Sequence, residues 1–104
     1  MIDTQSVGDY IGSVAAKILI PAPLRQFTEN KAEISVEGKT VNELLASLTK
    51  QHQYLHRHLF SDSGELRAYI NVYVNNDDIR QLGRESTPVG EGDVISIIPS
   101  IAGG

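Results

Sequence analysis

Residues Thr40-Val41-Asn42-Glu43 have the spacing of a capping box. In that arrangement a threonine hydroxyl and a glutamate carboxylate three residues on each satisfy a backbone N–H that the first helical turn leaves without a partner. Val41, Leu44, Leu45 and Leu48 then follow at i, i+3, i+4 and i+7, drawing one apolar stripe on the helical period. Asn42, Ser47 and Lys50 take the solvent side. The pattern predicts a helix that begins at Thr40 and fades near His52. A helix with one apolar face must lie across another layer, and the flanking segments supply it.

Outside this helix the period changes to two. In Leu66-Arg67-Ala68-Tyr69-Ile70-Asn71-Val72-Tyr73-Val74, alternation places Leu66, Ala68, Ile70, Val72 and Val74 on one face. Arg67, Tyr69, Asn71 and Tyr73 line the other. Glu33-Ile34-Ser35-Val36-Glu37 alternates in the same way before Gly38 turns the chain. Val14 to Ile20 is apolar and partly β-branched, and Pro21 and Pro23 stop it. Val94-Ile95-Ser96-Ile97-Ile98 is apolar in both phases, as fits a central strand buried on one face and touched by a partner on the other. Asn75-Asn76-Asp77-Asp78 reads as a tight reversal from which Ile79 and Arg80 return, and Gly90-Glu91-Gly92-Asp93 as a second turn. Tyr54 to Phe60 adds a short turn before a loop at Ser61-Asp62-Ser63-Gly64. Strand, strand, helix, strand, short strand, strand is an α+β order in which one main helix crosses a mixed sheet.

With 104 residues, 40% hydrophobic and 21% charged, the chain fits one domain. A domain of this size buries roughly 60 to 70% of its unfolded surface, enough to fold without metals or disulfides. There is no cysteine, which excludes thiolate metal sites and cysteine nucleophiles and suits a reducing compartment. Residues 1–13 are polar and without period and are expected to form a flexible leader, 14–98 the folded domain and 99–104 an extended tail. The leader lacks the basic start and apolar stretch of a secretory signal, and no window approaches the roughly 20 apolar residues that span a bilayer. A soluble, cytoplasmic protein is expected. The net charge of −4 and the lack of a Lys/Arg cluster argue against nucleic acid and for protein partners.

The tail is Pro99-Ser100-Ile101-Ala102-Gly103-Gly104. Proline has no N–H, so Pro99 is expected to end the sheet ladder and leave the tail unpaired, free to add to a partner's backbone. Gly103 and Gly104 have no Cβ and can thread a narrow channel.

The element order, the run Gly90-Glu91-Gly92-Asp93-Val94, the sequence Ile97-Ile98-Pro99 and the closing Gly103-Gly104 resemble the MoaD/ThiS-like family of ubiquitin-like sulfur carriers. That family includes the molybdopterin synthase small subunit and the thiamine-pathway carrier. The likeness runs from about Val14 to Gly104. Tyr69 to Asn75, then Asp77-Asp78-Ile79-Arg80 and the final Ala-Gly-Gly, look most like the branch that supplies sulfide for cysteine synthesis. The resemblance implies a ubiquitin-like β-grasp fold and a carrier, not an enzyme. It implies that an activating enzyme of the ubiquitin-E1 type spends ATP to adenylate the Gly104 carboxylate, which then becomes a thiocarboxylate. Ile101, Ala102 and Gly103 would enter the partner's active site with it. The sulfur acceptor would be a synthase, in the cysteine pathway a pyridoxal-phosphate enzyme that makes an aminoacrylate, and a metalloprotease would trim the product from the tail. Molybdopterin and thiamine synthesis are the other recipients in the family. The carrier itself would bind no cofactor, and no phosphate-cradling glycine loop followed by lysine occurs in it. A ubiquitin-like modifier conjugated to lysines through Gly104 is the alternative, and a passive interaction domain the blandest. The leader is a feature that such carriers need not have.

Arg67, Tyr69, Asn71 and Tyr73 have the composition of an interaction surface, which Ile95 and Ile97 would enlarge if they shared that face. The plain alternative is a solvated sheet face with cross-strand aromatic pairs. His52, His56 and His58 lack the converging acidic or thiol ligands of a metal site and read as a polar helix end. Ser61, Asp62 and Ser63 read as loop chemistry, and Glu29, Glu33 and Glu37 as solvated charges. No catalytic constellation is present in the sequence.

Overall fold

The structure, a computed structural model, describes residues 15–100. The leader, Val14 and the tail residues Ile101, Ala102, Gly103 and Gly104 lie outside the described residues. The helix α1 spans Val41–Gln51, preceded by Thr40 in an extended conformation. The Thr40 hydroxyl accepts from the Glu43 N–H at 3.2 Å. The Glu43 carboxylate accepts not from Thr40 but one residue earlier, from the Lys39 N–H at 2.9 Å. Thr40 is engaged instead in a sheet-like bridge with Pro88. Val41, Leu44, Leu45 and Leu48 are all fully buried. Burying each such side chain stabilises the fold by about 1.5–3 kcal/mol.

What they cover is a five-stranded sheet built from β1 (Ala15–Leu19), β2 (Glu33–Glu37), β3 (Ile70–Val74), β4 (Asp77–Asp78) and β5 (Val94–Pro99), in the order β2-β1-β5-β3-β4. The β1–β5 pair is parallel and the other pairs antiparallel, so the sheet is mixed. The inner face carries Ala16, Ile18, Ile34, Val36, Ile70, Val72, Val74, Ile95 and Ile97, all buried against α1 and its neighbours. After α1, a 3₁₀ turn at Gln53–Leu55 and a one-turn helix α2 (His56–Leu59) add Leu55 and Leu59, both fully buried, to the same core. No helix among the described residues is long and apolar enough to cross a membrane.

The strand expected over Leu66 to Val74 is shorter than its alternation suggests. Leu66 forms only a single bridge, with Phe60, and the Arg67 N–H donates to Leu59 O at 2.8 Å. A turn then closes with Ile70 N–H on Arg67 O at 2.9 Å before β3 begins. The cause is the neighbouring strand: β5 reaches only as far as Pro99, opposite Ile70, so residues before Ile70 have almost no strand to pair with. The return after the Asn75-Asn76 reversal is likewise brief. β4 ends at Asp78, and Ile79–Gln81 forms a 3₁₀ turn capped by the Asp78 carboxylate, so Ile79 and Arg80 are not in a strand.

Candidate functional site

The route to the chain's last residues is set where β5 ends. Pro99 does not break the ladder as expected. It lies opposite Ile70 within the β3–β5 register, and the next residue still pairs: Ser100 N–H donates to Tyr69 O at 2.6 Å. Antiparallel pairs alternate between hydrogen-bonded and non-hydrogen-bonded positions. The Tyr69–Ser100 bond puts Pro99 at a non-hydrogen-bonded position, where its missing N–H costs nothing. The chain is therefore held to β3 through Ser100, one residue past the proline.

A side-chain network lies beside this exit. Asn71 stands opposite Ile98 on β3, with its side chain on the outer face of the sheet. Its Nδ2 donates to Ile98 O at 3.1 Å and to Ser100 Oγ at 2.7 Å. Its Oδ1 accepts from Arg80 Nη2 at 2.7 Å. Arg80 in turn grips Asp78, with Nη2 on Oδ2 at 2.7 Å, Nε on Oδ1 at 3.1 Å and its backbone N–H on Oδ1 at 2.8 Å. The Arg80 side-chain hydrogen bonds, reinforced by that backbone donor, hold the Asp78 carboxyl below the usual carboxylate range. The same hydrogen bonds raise Arg80 above its ordinary value.

Around the network the outer face presents half-exposed apolar groups. The register runs Leu19, Ser96 and Tyr73 in one cross-strand row, with Val94 beside Lys17 in the next. Ile98 is 48% exposed and Tyr69, at the rim, 45%. Of the residues expected to share this surface, Tyr73 is on it and Tyr69 borders it. Ile95 and Ile97 are not on it. They are 0% and 2% exposed and belong to the core, because the inward phase of β5 is 95/97 and Ile98 is the residue left outside. Arg67 also departs from the expected stripe. It precedes β3, and its Nε donates to Arg57 O, within α2, at 2.7 Å.

Two of the three histidines pack against aromatic rings. The His58 ring stacks on Phe27 with centroids 4.2 Å apart, and His56 tilts against Phe60 at 5.1 Å. Among the described residues no group of three or more His, Cys, Asp or Glu side chains converges as a metal site. Ser61 and Ser63 hydrogen-bond each other at 2.8 Å in their loop. Glu33 pairs with Lys17 at 3.4 Å and Glu29 with Lys31 at 3.7 Å, all exposed. The sequence placed Asn71 on a candidate interaction face and Asp78 and Arg80 at a reversal, and did not join the three. Tyr73 pairs with Asp78, and continuing that register past the reversal would have set Asn71 against Arg80.

One main helix packed across this mixed five-stranded sheet, with the last strand leading to a glycine end, defines a ubiquitin-like β-grasp protein. Residues 18–104 match the ThiS family, and the chain belongs to it. It is 32% identical over 89 residues to the sulfur carrier protein CysO of Mycobacterium tuberculosis, covering 84% of this chain and 96% of that protein. The CysO complex with BexX from Amycolatopsis orientalis contains a chain with TM-score 0.78 and 32% identity, over 86% of this chain and 99% of that one. The small archaeal modifier protein 1 of Methanosarcina acetivorans superposes with TM-score 0.78 at 28% identity, over 88% of this chain and 98% of that one. Family membership thus makes the chain a small carrier- or modifier-type protein rather than an enzyme.

Proposed function

We propose that this chain is a sulfur carrier that works through the Gly104 carboxylate, with cysteine synthesis as the recipient pathway. The observation that carries the reading is geometric: β5, which presents Ile98 on the outer face, continues through Pro99 and Ser100 toward Gly104. A partner seated on the outer face over Ile98 and Tyr73 would therefore meet the tail at the same time. Fully extended, the four residues after Ser100 reach about 13 Å, enough to carry a carboxylate into a buried site while the domain stays outside.

A free carboxylate is a poor acyl donor, so the chemistry needs activation. In the proposed sequence an E1-like partner binds ATP and Gly104 attacks the α-phosphate. Pyrophosphate leaves and an acyl-adenylate remains. A sulfur nucleophile then attacks the carbonyl carbon and AMP departs, giving the thiocarboxylate. A pyridoxal-phosphate synthase would accept the sulfur, a metalloprotease would trim the product, and the need for ATP and reduced sulfur supports a cytoplasmic cycle. The likeness to CysO supports the cysteine branch.

The test is the intact mass of the full chain from its native cell. A species heavier by the difference between sulfur and oxygen, reactive to a thiol-selective reagent although no cysteine is present, is the expected result. A chain that stays at its sequence mass after incubation with the activating enzyme, ATP and a sulfur donor refutes it. The likeness to an archaeal modifier protein favours a second reading, conjugation to lysines through Gly104, for which the same mass spectra would show isopeptide-linked adducts.

A further inference from the structure

We propose that Asn71 is a positioning residue for the tail: its side-chain amide, held by Arg80 and Asp78, fixes the end of β5 and the direction in which the chain leaves after Ser100. Asparagine is depleted in strands because its amide competes for backbone hydrogen bonds, so one in the middle of a five-residue strand calls for a reason. Here every polar atom of the amide is used. Nδ2 donates to Ile98 O and Ser100 Oγ, and Oδ1 accepts from Arg80. A carbonyl can only accept and a guanidinium can only donate, so these partners define the orientation of the amide.

The network acts on the tail rather than on the hairpin alone. Ser100 is held twice, by its backbone N–H on Tyr69 O and by its hydroxyl on Asn71, and two anchors fix the rotation of the residue as well as its position. At the other end the Asp78 grip on Arg80 ties the chain of bonds to the β3–β4 hairpin. Residues 71, 78 and 80 are brought together by the β3–β4 hairpin, which pairs Tyr73 with Asp78. A tail whose exit is already set has less conformational freedom to lose on entering a partner's channel. This consequence rests on the carrier reading above. The fixing of Ser100 does not.

Three variants of the full chain test it. Asn71→Ala removes the amide with its donors and acceptor, Ser100→Ala loses the hydroxyl, and Ser100→Thr keeps it. Hydrogen exchange of the Ser100 amide, read by NMR in the free protein, should accelerate several-fold in Asn71→Ala and Ser100→Ala and stay as in the wild type in Ser100→Thr. In ATP-dependent loading by the activating enzyme, the first two should raise KM for the carrier by roughly three- to tenfold, the scale of one or two exposed hydrogen bonds, with kcat little changed. Unchanged Ser100 exchange in Asn71→Ala overturns the proposal. So does faster exchange with an unaltered KM and a lowered Tm, which would make the network merely structural. If the wild type itself is not loaded, the carrier reading falls, and the exchange measurement alone decides whether Asn71 fixes the tail.

Discussion

Replacing Ile97 and Ile98 one at a time by alanine separates the two faces of β5. Ile97 is 2% exposed and packs in the core, so Ile97→Ala leaves a cavity and should cost about 2–5 kcal/mol of stability. That is a large fraction of the roughly 5–15 kcal/mol that holds a domain together. Ile98 is 48% exposed, so about half of the usual 1.5–3 kcal/mol for burying such a side chain is already realised in the free domain. Ile98→Ala should therefore cost only about 1 kcal/mol in folding. The other half, again about 1 kcal/mol, becomes available when a partner covers the outer face, and its loss should weaken docking about fivefold. Urea unfolding of the two variants gives the stability terms, and the carrier's KM in ATP-dependent loading gives the docking term. Equal destabilisation by the two changes would refute the face assignment. A folded Ile98→Ala variant with an unaltered KM would refute docking on that face.

Thr40→Ala removes the acceptor for the Glu43 N–H and should lower stability by about 1 kcal/mol in the same unfolding assay, with Thr40→Asn close to wild type. Gly92 has φ +87° and no heavy atom within 4 Å of an added Cβ, so Gly92→Ala should destabilise by about 1 kcal/mol through backbone strain alone, with no clash to relieve. The Asp78 carboxyl is held below its ordinary value of 3.8, so its contribution is fully present above that pH and is lost as the pH falls through its lower folded-state value. NMR titration of the carboxyl carbon should show the depressed midpoint in the wild type and a return toward 3.8 in Arg80→Gln.

What could be read from the sequence was what is decided locally. The capping spacing and the leucine stripe specify α1 without reference to the rest of the chain, and β2 matches the expected Glu33–Glu37 because glycine and alternation bound it. Where strand neighbours decide, the reading erred. Alternation continues through Leu66, Arg67 and Ala68, yet β3 starts at Ile70 because its partner strand runs out opposite that residue. The run 94–98 has apolar residues in both phases, and only Ser96, in the phase of Val94 and Ile98, marks Ile95 and Ile97 as the inward pair. The register against Val72 and Val74 settles that in favour of Ile95 and Ile97. The Asn71–Arg80–Asp78 network was hidden for a related reason. Its members are spread over ten residues and meet only through the hairpin.

The same register shows how β5 is kept from slipping. A shift of one residue would carry Ile95 and Ile97 to the outer face and bring Ser96 and Ile98 into the core. Each end of β5 is tied across to β3 by an asparagine side chain. At the start, Asn75 Oδ1 accepts from Val94 N–H at 3.1 Å, and its Nδ2 donates to Asp93 Oδ1 at 3.2 Å. The left-handed φ of +57° at Asn75, a conformation asparagine tolerates, turns the chain where these bonds form. At the finish, Asn71 holds Ile98 O and Ser100 Oγ. Neither set of side-chain bonds survives a one-residue displacement, so the clamps oppose slippage along with the buried isoleucines. A strand pinned at both ends also holds Ser100, the last of the described residues, at a fixed place beside β3.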